Sequence, residues 1–328
     1  SYTGLTAALH ELPAHLVTPA SLVDQVDEID EPVDPRIAVA TPIDDQHPTG
    51  ASHTELRSAL AGLPGGTHFG SVVHKILERT DPGAADLQDE LSRHCLEVLP
   101  TSGSLDIDPE LLTTGLQQVL TTSLGCLTDG QTLADLGKTN QLAEFEFEMP
   151  MGGKHGASLA ELARLMDEPQ YRDPNGVLAG YGEQLAASPA GPSLLNGFLT
   201  GSIDVILRSK LGTQEKFIVL DYKTNRLPVV EEPLLPQHYR QSAMEKLMRD
   251  SHYPLQALLY CVALHRYLTK RQPDYQPDQH LGGVGYLFVR GMAGPGTPID
   301  GNAPCGVFTW QPNPQLVARA SDLLSGEQ

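Results

Sequence analysis

The sequence predicts an α/β fold in which a central sheet is flanked by helices. Three patterns carry this expectation. Apolar residues fall at Phe69, Val72, Val73, Ile76 and Leu77, the spacing of one helix face. The run F-E-F-E-M at 145–149 alternates with a period of two, as a half-buried strand does. Two further strand-like runs, Phe198–Leu207 and Lys216–Tyr222, flank a short polar turn around Gly212, with helical patterns on either side of them. Strands with helices before and after them pack as an α/β or α+β core.

Residues 1–10 read as one or two helical turns. From Glu11 to His53 no period holds. Pro13, Pro19, Pro32, Pro35, Pro42 and Pro48 remove backbone donors. Asp24, Asp27, Glu28, Asp30, Glu31, Asp34, Asp44 and Asp45 repel one another. Residues 1–60 therefore read as an acidic, Pro-rich tether and residues 61–328 as the folded domain, with ordered patterning from about Gly65. Leu87–Leu99 and Pro109–Leu124 read as helices, Pro109 suiting a first helical turn. Residues 158–188 read as helix broken near Pro169 and Pro174. Residues 238–250 and 253–271 read as two helices, G-V-G-Y-L-F-V-R at 283–290 as a strand, and Pro314–Leu324 as a last helix. The sequence contains no internal repeat.

The 328 residues, 40% of them hydrophobic, suffice for a sizeable core. No apolar run reaches the roughly 18 residues of a membrane-spanning helix. The opening S-Y-T-G-L-T-A-A-L-H lacks the basic start and apolar centre of a signal peptide. Cys95, Cys126, Cys261 and Cys305 are scattered, with no C-x-x-C pair for a zinc ribbon and too few for a disulfide scaffold. A reducing, cytoplasmic setting is expected. Lys plus Arg number 22 and Asp plus Glu 41, a net charge of −19 that at first argues against a nucleic-acid partner.

The strongest chemical feature is a pair of aspartates, Asp204 in G-S-I-D-V-I and Asp221 in V-L-D-Y-K-T-N. If the two strands form a hairpin, both carboxylates reach one edge of the sheet, where they repel unless a divalent cation neutralises them. Lys223 follows Asp221 by two residues and so shares its strand face. An apolar strand has little structural use for Asp and Lys on one face. A hard-metal site does: the metal polarises a phosphoryl oxygen and activates water, and the ammonium offsets developing negative charge. The alternative is a solvated ion pair on an edge strand, since three-residue patterns are common.

The context of these residues resembles a known family. G-T-H-F-G-S-V-V-H-K-I-L-E, E-F-E-F-E-M-P, the Asp–Asp–Lys hairpin and Q-A-L-L-Y-C-V-A-L-H-R-Y-L occur in the order of RecB-type nuclease domains, members of the PD-(D/E)XK nuclease superfamily. The strand G-G-V-G-Y-L-F-V-R-G follows as it does there, and the resemblance runs from about Thr67 to Arg290. It implies a restriction-endonuclease-like core with a central mixed sheet, and a Mg2+-dependent deoxyribonuclease of the exodeoxyribonuclease V type. It implies His74, Asp204, Asp221 and the main-chain carbonyl of Tyr222 as metal ligands and Lys223 as the catalytic lysine. On its own, His74 reads as a half-buried helix histidine. Glu146 matches a family position and would ligate through water; the alternative is a solvent-facing strand acid. Gln256 and Tyr260 lie one helical turn apart on one face. They match a Q-x-x-x-Y element that orients substrate, since amide and phenol groups bond phosphate oxygens without adding charge. The alternative places Tyr260 in the core and Gln256 at the surface. An imidazole ligand makes tolerance of Mn2+ an expectation.

The resemblance also implies partners: single strands of DNA from an unwound duplex, a helicase region of the same polypeptide, and RecC-like and RecD-like subunits in a bacterial cytoplasm. The start at Ser1 without Met, and an opening S-Y-T-G-L similar to a family junction, lead to the expectation of a segment from a longer chain. L-G-K-T at 136–139 has Thr132 where a phosphate-binding loop requires glycine, so no ATP site is expected. Only Cys305 lies near the C-terminus, so no iron–sulfur cluster is expected. Two other readings stay open: an inactive nuclease fold kept for DNA binding or subunit docking, and an independent nuclease without a motor. The complete Asp–Asp–Lys set argues against the first. Residues 201–275 hold eleven Lys or Arg and eight Asp or Glu, a local +3 in a chain of −19. The acidity limits how such a domain meets DNA without excluding DNA as its substrate.

Overall fold

The chain from Gln141 to Trp310 supplies one five-stranded sheet: β1 (Gln141–Met151), β2 (Gly197–Leu211), β3 (Gln214–Lys223), β4 (Leu281–Phe288) and β5 (Val307–Trp310). The strands lie side by side in chain order, so β3 is the middle strand. β1–β2, β2–β3 and β4–β5 are antiparallel and β3–β4 is parallel, which makes the sheet mixed. This computed structural model describes residues 56–102, 106–152, 156–172, 176, 178–211, 214–227 and 234–326. The helical turns expected over 1–10, and the acidic stretch to His53, lie outside them.

Helices cover both faces of the sheet. On one side lie α1 (Thr67–Arg79), α2 (Leu87–Val98) and α3 (Pro109–Leu120), packed on Val205, Leu207, Ile218, Leu220, Tyr222 and Leu287. Further along the chain come α4 (Leu159–Met166), α5 (Tyr181–Ala186), α6 (Gln241–Asp250), α7 (Tyr253–Arg271) and α8 (Pro314–Ser325). They belong to a second core with Ile206, Val219, Val284, Tyr286 and Phe288. Neighbouring residues of β3 thus serve opposite cores, Leu220 one and Val219 the other, as the strand pleat requires. A parallel neighbour cannot be reached by a tight turn, so the chain between β3 and β4 crosses the sheet as α6 and α7. α7 is buried nearly all round from Pro254 to Leu264, the signature of a helix inside a core. No helix among the described residues is long and apolar enough to cross a membrane.

Local chemistry explains the helix boundaries. Asp108 accepts from the backbone N–H groups of Glu110 and Leu111, and Pro109 follows it at the start of α3. Ser158 and Glu161 form a capping box on α4. α1 buries Phe69, Val72, Val73, Ile76 and Leu77, and each such side chain contributes about 1.5–3 kcal/mol of gross burial.

Several elements differ from the sequence-based expectation. β1 runs beyond both ends of the alternating F-E-F-E-M run. The second predicted hairpin strand and the 283–290 strand each end close to their expected limits, the latter passing into a 3-10 turn at Val289–Gly291. β5 is four residues long, too short for a period to show. The packed chain also includes residues that composition assigns to the tether. Ser58 caps a 3-10 turn at Ala59–Gly62, and Leu60 is fully buried against Gly115 of α3.

Arg290, fully buried just after β4, ties this N-terminal turn to the sheet. Its guanidinium donates to the carbonyls of Thr224 (2.8 Å), Leu63 (3.0 Å), Leu60 and Pro64, and stacks over the Phe69 ring at 4.7 Å. Arg290→Met strands several buried carbonyls at once, so it is expected to cost at least about 3 kcal/mol. Urea unfolding at neutral pH measures this; a loss under about 1 kcal/mol would show that the clamp is dispensable.

Candidate active site

The β2–β3 ladder closes at Val205–Leu220, and the next residues outward are Asp204 and Asp221. The hairpin brings the two carboxylates to one end of the sheet, as their spacing requires. It does so at the middle strand, with Asp221 fully buried, so the pair with Lys223 is not a solvated edge contact. The Lys223 ammonium lies 2.7 Å from Asp221 Oδ2.

Tyr222, between these two, serves the site through its backbone. Its N–H donates to Asp204 Oδ2 at 2.7 Å and its carbonyl lies 3.0 Å from His74 Nε2. The other nitrogen of His74, Nδ1, lies 3.3 Å from Asp204 Oδ1. A ring facing two oxygens donates to both only as the imidazolium. His74 reaches this position because α1 approaches the end of β3 closely. A Cβ at Gly70, one turn earlier, would stand 3.2 Å from Thr224 Oγ1.

Among the described residues, the group that brings three ligand atoms within 4.8 Å of one another is His74, Asp204 and Glu144. Glu144 is the residue that the sequence reading passed over. Glu144, Glu146 and Glu148 alternate along the exposed face of β1, and their spacing does not distinguish them. Strand pairing does. Glu146 lies opposite Ser202, whereas Glu144 falls between the pairs Ala143–Val205 and Phe145–Ile203, level with Asp204. Its φ of 47° is left-handed, a conformation rare outside glycine and concentrated at functional sites. Ser202 Oγ donates to Glu144 Oε2 at 3.0 Å.

The two carboxyls are driven apart in acidity. Burial pushes the Asp204 carboxyl up, but the His74 ring, the Lys223 charge and the Tyr222 N–H outweigh it and hold it below the usual range. Although Glu144 is exposed as a residue, its carboxyl is partly screened from water and is pushed up, first by that partial burial and then by the Asp204 and Glu78 charges. Asp204 is therefore the more acidic of the two carboxyls.

Gln256 and Tyr260 share a face of α7, as predicted, but each is only 6% exposed. Gln256 Nε2 donates to the Tyr260 hydroxyl at 3.1 Å, and Gln256 Oε1 accepts from the Tyr286 hydroxyl at 2.8 Å. Tyr260 meets Phe147 of β1 edge to face, with centroids 6.0 Å apart. These two residues back the site from within the core.

Two carboxylates and an imidazole with ligand atoms within 4.8 Å of one another, beside a main-chain carbonyl that meets the same imidazole, form a donor set suited to a hard divalent cation that accepts one nitrogen. The Asp221–Lys223 pair adds a cation on a buried stem beside that set. Replacing Asp204 by Asn removes one of the causes that hold the Glu144 carboxyl up, leaving its partial burial and the Glu78 charge. Its titration in Asp204→Asn, followed by carboxyl 13C shifts, is expected at lower pH than in the unmodified chain. An unchanged midpoint would show that the two groups do not feel one another.

Comparison with known proteins identifies the family. The PD-(D/E)XK nuclease superfamily model matches residues 56–320. RecBCD enzyme subunit RecB of Mycolicibacterium smegmatis is 39% identical over 332 aligned residues, covering 100% of this chain and 29% of that protein. The subunit of the same name from Mycobacterium tuberculosis is 41% identical over 283 residues, 83% of this chain and 25% of that protein. The Escherichia coli one is 33% identical over 199 residues, 60% of this chain and 14% of that protein. The chain thus spans less than a third of the length of these curated relatives. With the family model covering most of the chain and the buried Asp–Asp–Lys hairpin in its mixed sheet, the chain belongs to the PD-(D/E)XK nuclease superfamily, as a domain homologous to RecB-type subunits.

Proposed function

We propose that this chain is a divalent-metal-dependent deoxyribonuclease domain that hydrolyses phosphodiester bonds of single DNA strands. In this reading it works inside a RecB-like helicase-nuclease, in double-strand-break repair, recombination and DNA degradation. The observation that carries the reading is the buried group of Asp204, Asp221 and Lys223 with His74 and Glu144 around it. Buried charge of this density costs stability and has no packing purpose.

Asp204, His74 and the Tyr222 carbonyl would hold Mg2+, with Glu144 and Asp221 completing the acidic shell and Glu146 left toward solvent. Mn2+ is an acceptable substitute for a site with one imidazole. When bound, the ion supplies positive charge that polarises a phosphoryl oxygen and lowers the pKa of a water. The protein groups do the rest. Asp204, held ionised, keeps the negative charge that the site needs at neutral pH. Lys223 donates toward the attacking water or an equatorial phosphoryl oxygen, where negative charge grows in the transition state. Asp221 holds the ammonium by a 2.7 Å contact and keeps it from turning away.

The same reading assigns partners: a helicase region of the same polypeptide, RecC-like and RecD-like subunits, and DNA strands emerging from an unwound duplex, in a bacterial cytoplasm. The basic stretch 201–275 is a local +3 in a chain of −19, which fits a strand delivered by a motor rather than captured from solution.

Asp221→Asn combined with Lys223→Met removes both charges of the pair and avoids an unpaired buried ion. The double variant is expected to stay folded by circular dichroism and to lose at least about 100-fold of its Mg2+-dependent cleavage of linear single-stranded DNA. EDTA is expected to abolish cleavage in the unmodified chain and Mn2+ to restore it. Retained cleavage in the folded double variant would overturn the assignment and favour a docking or DNA-binding role. Binding of single-stranded DNA by the isolated chain is expected to be weak and to fall steeply between about 50 and 200 mM salt, as fluorescence anisotropy would show.

A further inference from the structure

Lys223 is held from two sides. Against Asp221 on one side stand two aromatic rings on the other: Nζ is 4.4 Å from the centre of the Tyr253 ring and 5.6 Å from that of Tyr286. The rings stack on each other, with centroids 5.5 Å apart and planes 20° from parallel. Their placement follows from the fold. Tyr286 is the β4 residue beside Asp221 in the parallel pairing, and Tyr253 is the first residue of α7, which crosses over that pairing. The Tyr286 hydroxyl donates to Gln256 Oε1 and lies 3.2 Å from the Tyr253 carbonyl, and Gln256 in turn donates to Tyr260. The Tyr253 hydroxyl makes a longer contact, 3.5 Å, to Asn225 Oδ1.

We propose that Tyr253 and Tyr286 form a cation–π platform that positions the Lys223 ammonium against Asp221, and that Gln256 and Tyr260 are positioning residues that brace the platform. The inference rests on the nuclease reading only in taking Lys223 as the group that acts on the phosphate. An ammonium is a strongly hydrated point charge on a flexible stem of four carbons. Withdrawn from water, it needs the carboxylate and the negative faces of rings to replace its hydration and narrow its motion. Gln256 and Tyr260 are buried and bonded to each other, and Gln256 accepts from Tyr286, so the Gln256 amide is turned to the platform with Tyr260 behind it.

The test reads the lysine itself. The chain has eight lysines, so 13C,15N-lysine labelling gives few signals. The Lys223 ε-methylene protons are expected to be shifted upfield by the ring currents, and to be assigned by their loss in Lys223→Arg. Tyr253→Leu is expected to remove the upfield shift and to lower kcat on single-stranded DNA by about ten-fold, with KM within about two-fold. Tyr253→Phe, the conservative variant, restores both shift and rate, because the ring and not the hydroxyl does the positioning. Gln256→Leu is expected to lower kcat with KM unchanged. An upfield shift that survives Tyr253→Leu overturns the platform. So does a rise in KM with kcat intact in the Gln256 variant, which would make that residue a substrate contact. If Tyr253→Leu fails to fold, Tyr286→Phe keeps both rings and cuts the brace; it is expected to broaden or move the Lys223 signal, and an unaltered signal counts against the proposal. Absence of metal-dependent cleavage in the unmodified chain overturns the nuclease reading, and the ring-current shift then decides the platform by itself.

Discussion

Charge buried at the end of one hairpin sets the terms for the rest of the structure. Asp204, Asp221 and Lys223 are almost wholly withdrawn from water, and His74 is half withdrawn. An isolated charge in such a place costs several kcal/mol, so each must find a partner within hydrogen-bond reach. Some partners come from the same strand and some from other elements: the Lys223 ammonium of β3 for Asp221, the Tyr222 N–H of β3 and the His74 ring of α1 for Asp204, and aromatic faces of α7 and β4 for the ammonium. Each element is thereby committed to a position that the charges dictate, and the two cores fill in around it.

The mixed topology is what makes such convergence possible. The antiparallel β2–β3 pair places the aspartates on neighbouring strands, and the parallel β3–β4 pair puts Tyr286 beside Asp221. Because a parallel connection must cross over, α7 passes across the face that carries Asp221 and Lys223 and delivers Tyr253 there. α1 comes from the opposite face with His74. Its close approach depends on Gly70 against Thr224, and Arg290 holds the preceding turn to the backbone just beyond Lys223. The site therefore draws on both sides of the sheet around the end of its middle strand, a place where strand ends leave backbone groups available as ligands. Tyr222 supplies a donor and an acceptor there without using its side chain.

Backbone strain also falls at this place. Glu144 takes a left-handed backbone in the middle of an otherwise regular edge strand, and it is the β1 acid that stands level with Asp204. A left-handed non-glycine residue is uphill, and it persists only where its surroundings over-determine it. Here the flanking ladder pairs Ala143–Val205 and Phe145–Ile203 do so, and the cost coincides with the one position on β1 where a carboxyl can join His74 and Asp204.

The sequence by itself determined the α/β class, the helices α1 and α7, and the Asp–Asp–Lys hairpin. Those features rest on local periods and on spacing along neighbouring strands, which survive in any compact arrangement. The acidic, Pro-rich stretch was legible only as composition, and where the packed chain begins was not, because the pocket that buries Leu60 is made by Gly115 and Arg290, far away in the chain. Tertiary structure alone decided which of three alternating glutamates meets Asp204, since a pattern with period two repeats identically and only the pairing register separates Glu144 from Glu146. It also decided that Gln256 meets Tyr286 and Tyr260 meets Phe147, and that neither faces solvent: a helix period places two residues on one face, and what that face meets depends on the strands packed beneath it.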